Sequence, residues 1–194
     1  MSERRTGHSS RRGLSRDAIV AVARRIADAD GLAELTLRRV AGELDTGQAS
    51  LYRHIRDRAE LLALLADDLA GGYPLLPPGE DPLHTVTDQW LAMHRYLTEH
   101  PWGAPVISGG GYRSDAALPI TRHCLDQLRA LGLDDPDARR TYRALWPLLM
   151  GHLLNKHPFG HGTGAAETAE NPGEDDFRWA VRRLLAGAAG WRHD

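Results

Sequence analysis

The sequence predicts an all-α protein, with a small N-terminal three-helix unit of helix-turn-helix type followed by a larger helical bundle. Three observations lead there. Apolar residues recur at spacings of three and four through nearly every segment after residue 14. The breaks between segments carry Gly, Pro, Asp, Ser or Thr where caps and turns need them. No stretch of useful length alternates apolar with polar residues as a strand does, and no internal repeat is visible.

Taken in order, Ser15 caps a first helix whose inner face is Ile19, Val22, Ala23, Ile26 and Ala27, and Gly31 ends it. Thr36 caps a second, short helix with Leu37, Val40, Ala41 and Leu44 inside. A turn at Asp45-Thr46-Gly47 leads to a third helix over 48–54 that buries Leu51 and Ile55. Asp57 opens the fourth, with Glu60 completing a capping-box-like pair, and its five leucines point to a larger core. The segment "GGYPLLPPGEDP" is the clearest break, and Asp81-Pro82 then starts a fifth helix running to His100. Next come an irregular stretch with room for one helical turn, a helix over 115–131 and a helix from Asp135-Pro136 to Lys156. A Gly-rich loop and a last helix over 174–189 finish the chain. Pro147 either kinks the 136–156 helix or marks it as drawn too long.

Composition narrows the functional classes. At 42% hydrophobic and 26% charged residues the chain is too apolar for disorder. No apolar run approaches the ~18 residues of a membrane span, so no membrane partner is expected. Cys124 is the single cysteine, which precludes an intramolecular disulfide and suits a reducing, cytoplasmic setting. The N-terminus lacks the apolar stretch of a secretory signal. Residues 1–60 hold 12 Arg against 9 Asp and Glu, although the whole chain carries a net charge of −2. Five of those arginines (Arg4, Arg5, Arg11, Arg12 and Arg16) fall in the first 16 residues. Residues 1–13 therefore read as a basic arm suited to a polyanion, although a solubilising tail has the same composition.

Within 37–54 two short helices flank a tight turn, the spacing of a helix-turn-helix. Leu51 and Ile55 face inward, leaving Gln48, Ala49, Ser50, Tyr52, Arg53 and His54 outside or flanking. Amide and guanidinium groups pair with base edges, while hydroxyl, phenol and imidazole reach phosphates. An ordinary amphipathic helix has the same inner face.

The run "LSRDAIVAVARRIADADGLAELTLRRVAGELDTGQASLYRHIRDRAELLALLADDL" closely resembles the DNA-binding domain of TetR-family transcriptional regulators. The resemblance rests on Thr-x-Arg in the second helix, Leu-Tyr-x-His at the end of the recognition helix and the basic start of the fourth helix. It implies that 14–60 binds DNA and 61–194 binds a ligand and dimerises. By position, Thr36 resembles a phosphate-facing cap, and Arg38 a residue reaching a base or phosphate. Gln48, Ala49 and Ser50 resemble the base-reading positions, and Tyr52 and His54 the phosphate contacts. Arg53 stands where family members vary, and Arg58 where the family usually clamps the backbone with lysine. Tyr52 could chiefly pack, and Arg56 could be merely solvated. Asp45-Thr46 departs from the family's glycine followed by a buried Val or Ile; Asp tolerates the left-handed conformation, and Thr46 is a candidate cap. Glu43 and Asp45 add negative charge near the DNA side.

For the rest of the chain the resemblance implies a homodimer on a palindromic double-stranded operator, released by a small, largely apolar effector. Two half-sites also supply the base pairs that one short helix cannot read. The dimer stripes expected are Tyr142, Leu145, Leu149 and Leu153 on one helix and Phe177, Val181, Leu184 and Ala188 on the last; an intramolecular core is the alternative. Pocket candidates are Trp90, Met93, His94, Leu97, Trp102 and Ile107, together with Tyr112, Cys124, Leu128, Trp146 and Met150, each of which could equally be plain core. His152, His157 and His161, with His123 and Cys124, raise a metal site, but their spacings match no standard zinc signature. No Gly-x-Ser-x-Gly elbow, phosphate loop or carboxylate pair is present, so neither an enzyme nor a cofactor is expected. Two rival readings remain: a constitutive repressor without an inducer pocket, and a metal-dependent enzyme built on the histidines.

Overall fold

The computed structural model describes residues 14–109, 114–155 and 173–190. They form nine α-helices and, among the described residues, no strand. The basic arm, Tyr112, His157 and His161 lie outside them.

The local signals set most helix starts. Helix α1 (Arg16–Asp30) is capped by Ser15, which accepts from the Ala18 amide at 3.2 Å, and ends at Gly31 with φ of 81°. Thr36 caps α2 (Leu37–Glu43) through the Arg39 amide at 3.2 Å. Helix α3 (Gln48–Leu51) is shorter than the expected 48–54. Its last turn tightens, with His54 N–H donating to Leu51 O at 2.9 Å, so Tyr52 to His54 form a turn. Asp57 caps α4 (Arg58–Gly71), accepting from the Glu60 amide at 2.8 Å. The reciprocal half of the capping box is absent, because the Glu60 carboxylate accepts from the Arg56 amide instead.

Helices α5 (Pro82–Glu99), α6 (Gly103–Ser108), α7 (Leu118–Ala130), α8 (Asp135–Leu154) and α9 (Glu174–Gly190) build the larger unit, with one 3-10 turn at Asp115–Ala117. Helix α8 runs unbroken through Pro147, which sits on its exposed side. Helix α4 joins the two parts, packing on α1 and also on α6. Gly103 permits the α6 approach: a Cβ there would sit 2.6 Å from Leu69 Cδ2 and 3.2 Å from Leu97 Cδ2.

Half of the expected dimer stripe is corrected by this packing. Leu145, Leu149, Phe177 and Val181 are all 0% exposed within the single chain, where α5, α7, α8 and α9 pack together. A side chain already removed from water has no surface left for a second subunit. Tyr142, Leu153, Leu184 and Ala188 are partly buried against the same core.

Candidate nucleic-acid interface and cavity

The helix-turn-helix is fixed by its inner residues, since Val40, Ala41, Leu51 and Ile55 are at most 2% exposed. Between the helices Asp45 adopts φ of 49°, where a family glycine is expected, and the turn closes through Thr46 N–H to Ala41 O at 3.0 Å. Thr46 is not the cap of α3. Gly47 holds that position, without a side-chain hydrogen bond. Anchored this way, the unit leaves Thr36, Arg38, Gln48, Ala49, Tyr52, Arg53 and Arg58 exposed, with Thr46, Ser50 and His54 half-buried.

Charge pairing separates the arginines of this region into two groups. Arg16 pairs with Glu60 at 2.8 Å and Arg24 with Asp68 at 2.7 Å. Arg25 pairs with Glu43, Arg39 with Asp30, and Arg56 with Glu60 at 3.1 Å. The Arg56 amide and guanidinium hold the Glu60 carboxyl below its ordinary range. Glu43, expected to oppose DNA, also faces Arg39 at 3.6 Å, so two guanidiniums offset its charge. Arg38, Arg53 and Arg58 make no ion pair with any described residue. Arg53 donates to Ser50 Oγ at 3.2 Å. Arg58 donates to the carbonyls of Leu32 at 2.9 Å and Leu35 at 3.4 Å, which orient it without neutralising it. The uncompensated positive charge thus belongs to Arg38 of α2, Arg53 in the turn after α3 and Arg58 at the start of α4.

In the larger unit a cavity of about 230 Å³ opens between α4, α6 and α8. Ala66 and Ala70 of α4 form one wall, and Tyr142 and Trp146 of α8 another; Tyr73, Ile107, Ser114 and Ala117 close it. Of the expected pocket residues, Ile107 and Trp146 line this cavity. Trp90 stands behind it, edge-on to Trp146 at 5.7 Å and to Tyr142 at 6.0 Å. Met93, Cys124 and Leu128 are buried core rather than lining, and burial pushes the Cys124 thiol up to about 12. Met150 packs partly buried against that core. Trp102 is spent elsewhere, its indole N–H donating to Asp28 of α1. His94 and Leu97 face a separate open cleft of about 610 Å³ shared with His152.

The walls that sequence reasoning missed are Ala66, Ala70, Tyr73, Ser114 and Ala117, and Tyr142, expected on the dimer stripe, also lines the cavity. Two alanines four apart on a leucine-rich helix were the available signal. As for metal, His123 lies 3.0 Å from Gln89 and 2.9 Å from Gln127, apart from the His94–His152 pair. Among the described residues no three His, Cys, Asp or Glu converge on a point, and no helix is long and apolar enough to cross a membrane.

Residues 19–65, covering the whole of α2 and α3 and most of α1, match the model of the bacterial regulatory proteins of the tetR family. The chain belongs to the TetR family. Within the TetR family it is 34% identical over 147 residues to the HTH-type transcriptional repressor DrrR1 of Streptomyces coeruleorubidus, covering 68% of this chain. The match spans 51% of that repressor, so the chain corresponds to about half of its length. Apo ActR from Streptomyces coelicolor superposes with a TM-score of 0.74 at 24% identity, covering 91% of this chain and 95% of ActR. BioQ, solved with its double-stranded DNA operator, gives 0.71 at 24% identity, covering 92% and 99%. At such identities the likeness shows the fold alone. ActR has also been solved with (S)-DNPA, giving 0.71 at 25% identity and covering 90% of this chain and 96% of ActR.

Proposed function

We propose that this TetR-family chain is a ligand-responsive transcriptional repressor of the cytoplasm. It binds a palindromic operator as a homodimer through residues 14–60, and a small molecule held by residues 61–194 releases it. The observation that carries the reading is the segregation of arginine charge, which leaves Arg38 of α2, Arg53 after α3 and Arg58 at the start of α4 uncompensated. Phosphate contact draws on such free charge, and base reading falls to Gln48, Ala49, Ser50 and Arg38 at the exposed helix starts. The 34% identity to the repressor DrrR1 supports the DNA partner, and the ligand-bound ActR supports the small molecule. The cavity beside Trp146 favours a ligand-responsive form over a constitutive one.

Selection of bound sequences from a random DNA pool tests this directly, and two half-sites about one helical turn apart are expected. On the selected operator, Arg38→Ala should lose about 1–3 kcal/mol of discrimination against single-base variants. Arg58→Ala should weaken all sequences alike and lower the salt slope by about one. Both variants binding like the parent would overturn this docking.

A further inference from the structure

The cavity described above also says what kind of molecule it takes. We propose that its ligand is an uncharged, flat aromatic molecule carrying an oxygen acceptor of ketone or quinone type, recognised by the hydroxyls of Tyr73 and Ser114. This inference rests on the proposed effector role of the cavity.

Three features select that class. First, among the described residues none of the eight that line it is charged. A carboxylate or ammonium would lose its hydration there without a counter-ion, which is strongly unfavourable. Second, the lining is aromatic on one side and small on the other. Ala66 and Ala70, one turn apart on α4, oppose the aromatic side chains of Tyr142 and Trp146. Tyr73 and Tyr142 both meet Trp146 edge-on, with centroids 6.0 and 6.2 Å away, so the aromatic wall is braced in place. At about 230 Å³ the space falls just under the ~300 Å³ lower end of usual ligand pockets, a bicyclic rather than a polycyclic size.

Third, the polar groups of the walls differ in what they already hold. The Tyr142 hydroxyl is engaged with Thr121 Oγ1 at 3.1 Å. Tyr73 Oη and Ser114 Oγ are buried and have no hydrogen-bond partner among the described residues. Tyr73 is 7% exposed, and burial pushes its phenol well above the usual tyrosine range, so it remains an O–H donor at any physiological pH. A buried donor left unpaired is costly, and a ligand oxygen relieves that cost. The same feature rejects a pure hydrocarbon, which leaves both hydroxyls unpaired.

The test uses three probes of matched ring size on the full chain: 2-acetylnaphthalene, naphthalene and 2-naphthoate. Binding is followed by calorimetry and by quenching of tryptophan fluorescence. Expected is that 2-acetylnaphthalene binds about tenfold tighter than naphthalene, the worth of one neutral hydrogen bond, with 2-naphthoate weakest. Tyr73→Phe should remove part of the ketone's advantage over naphthalene, and Tyr73→Phe combined with Ser114→Ala should remove all of it. Ala70→Trp, which fills the cavity, should abolish binding of all three while the circular dichroism spectrum stays helical. If 2-naphthoate binds best, or Tyr73→Phe leaves the ketone's advantage intact, the assigned class is wrong while the cavity keeps its effector role. If the probes bind Ala70→Trp as they bind the parent, or none binds the parent, the cavity is not the effector site and both readings fall.

Discussion

Asp45 is the only non-glycine with positive φ among the described residues, at 49°, and it sits in the turn that sets α3 against α2. A left-handed residue with a Cβ costs about 1–2 kcal/mol, less for Asp, whose carboxylate can bond locally. Asp45→Gly should therefore leave the fold unchanged or stabilise it by up to about 1 kcal/mol, whereas Asp45→Val should destabilise it by more than that. Chemical denaturation of the two variants checks the order, and a Val variant as stable as Asp would remove the strain argument. A second residue-scale prediction concerns His94 and His152, whose ring nitrogens lie 3.1 Å apart and which pack on Phe177. Burial lowers both from the ordinary histidine value of 6.5; for His94 the neighbouring His152 and Arg95 lower it further and Glu174 opposes, and for His152 Asp176 opposes. The unfolded chain thus takes up these protons first as pH falls. Stability from this pair is intact above about pH 6.5 and declines below it. Unfolding midpoints at pH 7.5 and 5.5 should differ more for the parent than for a His94→Leu/His152→Leu double variant.

At the scale of elements, what was legible in the sequence was what is locally encoded. Ser15, Thr36, Asp57 and Asp81 cap the helices they were expected to cap, because capping involves groups only two or three residues apart. The face of a helix was legible too, but its partner was not. Leu145 and Leu149 follow the spacing of an apolar stripe, and spacing alone does not say whether that stripe meets the same chain or another. The structure gives it to the core. The cavity was hidden for a related reason: a void depends on which side chains fail to meet across elements, so Ala66, Ala70 and Tyr73 gave little warning. With their apolar faces spent inside, α8 leaves Ala144, Pro147, Gly151 and Leu154 exposed. Helix α9 leaves Trp179, 62% exposed with Arg183 stacked over its ring, and Ala186, Gly187 and Gly190. The α8 set follows three- and four-residue spacing, as do Trp179, Arg183, Gly187 and Gly190 on α9. Their small residues would allow close helix approach in a dimer, with Trp179 and Leu154 as its large apolar anchors. Trp179→Glu should then shift sedimentation equilibrium toward monomer, while Arg140→Glu, farther toward the start of α8, should not. Equal effects would move the interface elsewhere.

At the scale of the whole molecule, the question is how a ligand near Tyr73 could reach α3. The seam between the two parts is polar and continuous. Arg24 of α1 bonds Asp68 of α4 at 2.7 Å and Tyr96 of α5 at 3.1 Å, and lies 2.8 Å from the His100 ring. Asp28, one turn on, holds His100 at 2.8 Å and the Trp102 indole. Tyr96 also donates to Leu69 O at 3.1 Å, and its ring meets Tyr73 edge-on at 5.4 Å. A wall residue of the cavity is thus one aromatic contact from the hydroxyl that tethers α1, and α1 packs on α2. For this chain of contacts to carry regulation, the ligand must bind one arrangement of the seam better than the other; contact alone transmits nothing. Tyr96→Phe tests the point, because it keeps the ring against Tyr73 while removing the bonds to Arg24 and Leu69 O. Operator affinity without ligand and ketone affinity without operator should each stay within about threefold of the parent. The factor by which saturating 2-acetylnaphthalene weakens operator binding should fall about fivefold, the size of coupling such intermediate residues carry. Fluorescence anisotropy with the selected operator measures both quantities. A Tyr96→Phe variant that still releases DNA as fully as the parent would place the coupling in the α4–α6 packing at Leu69 and Gly103 instead.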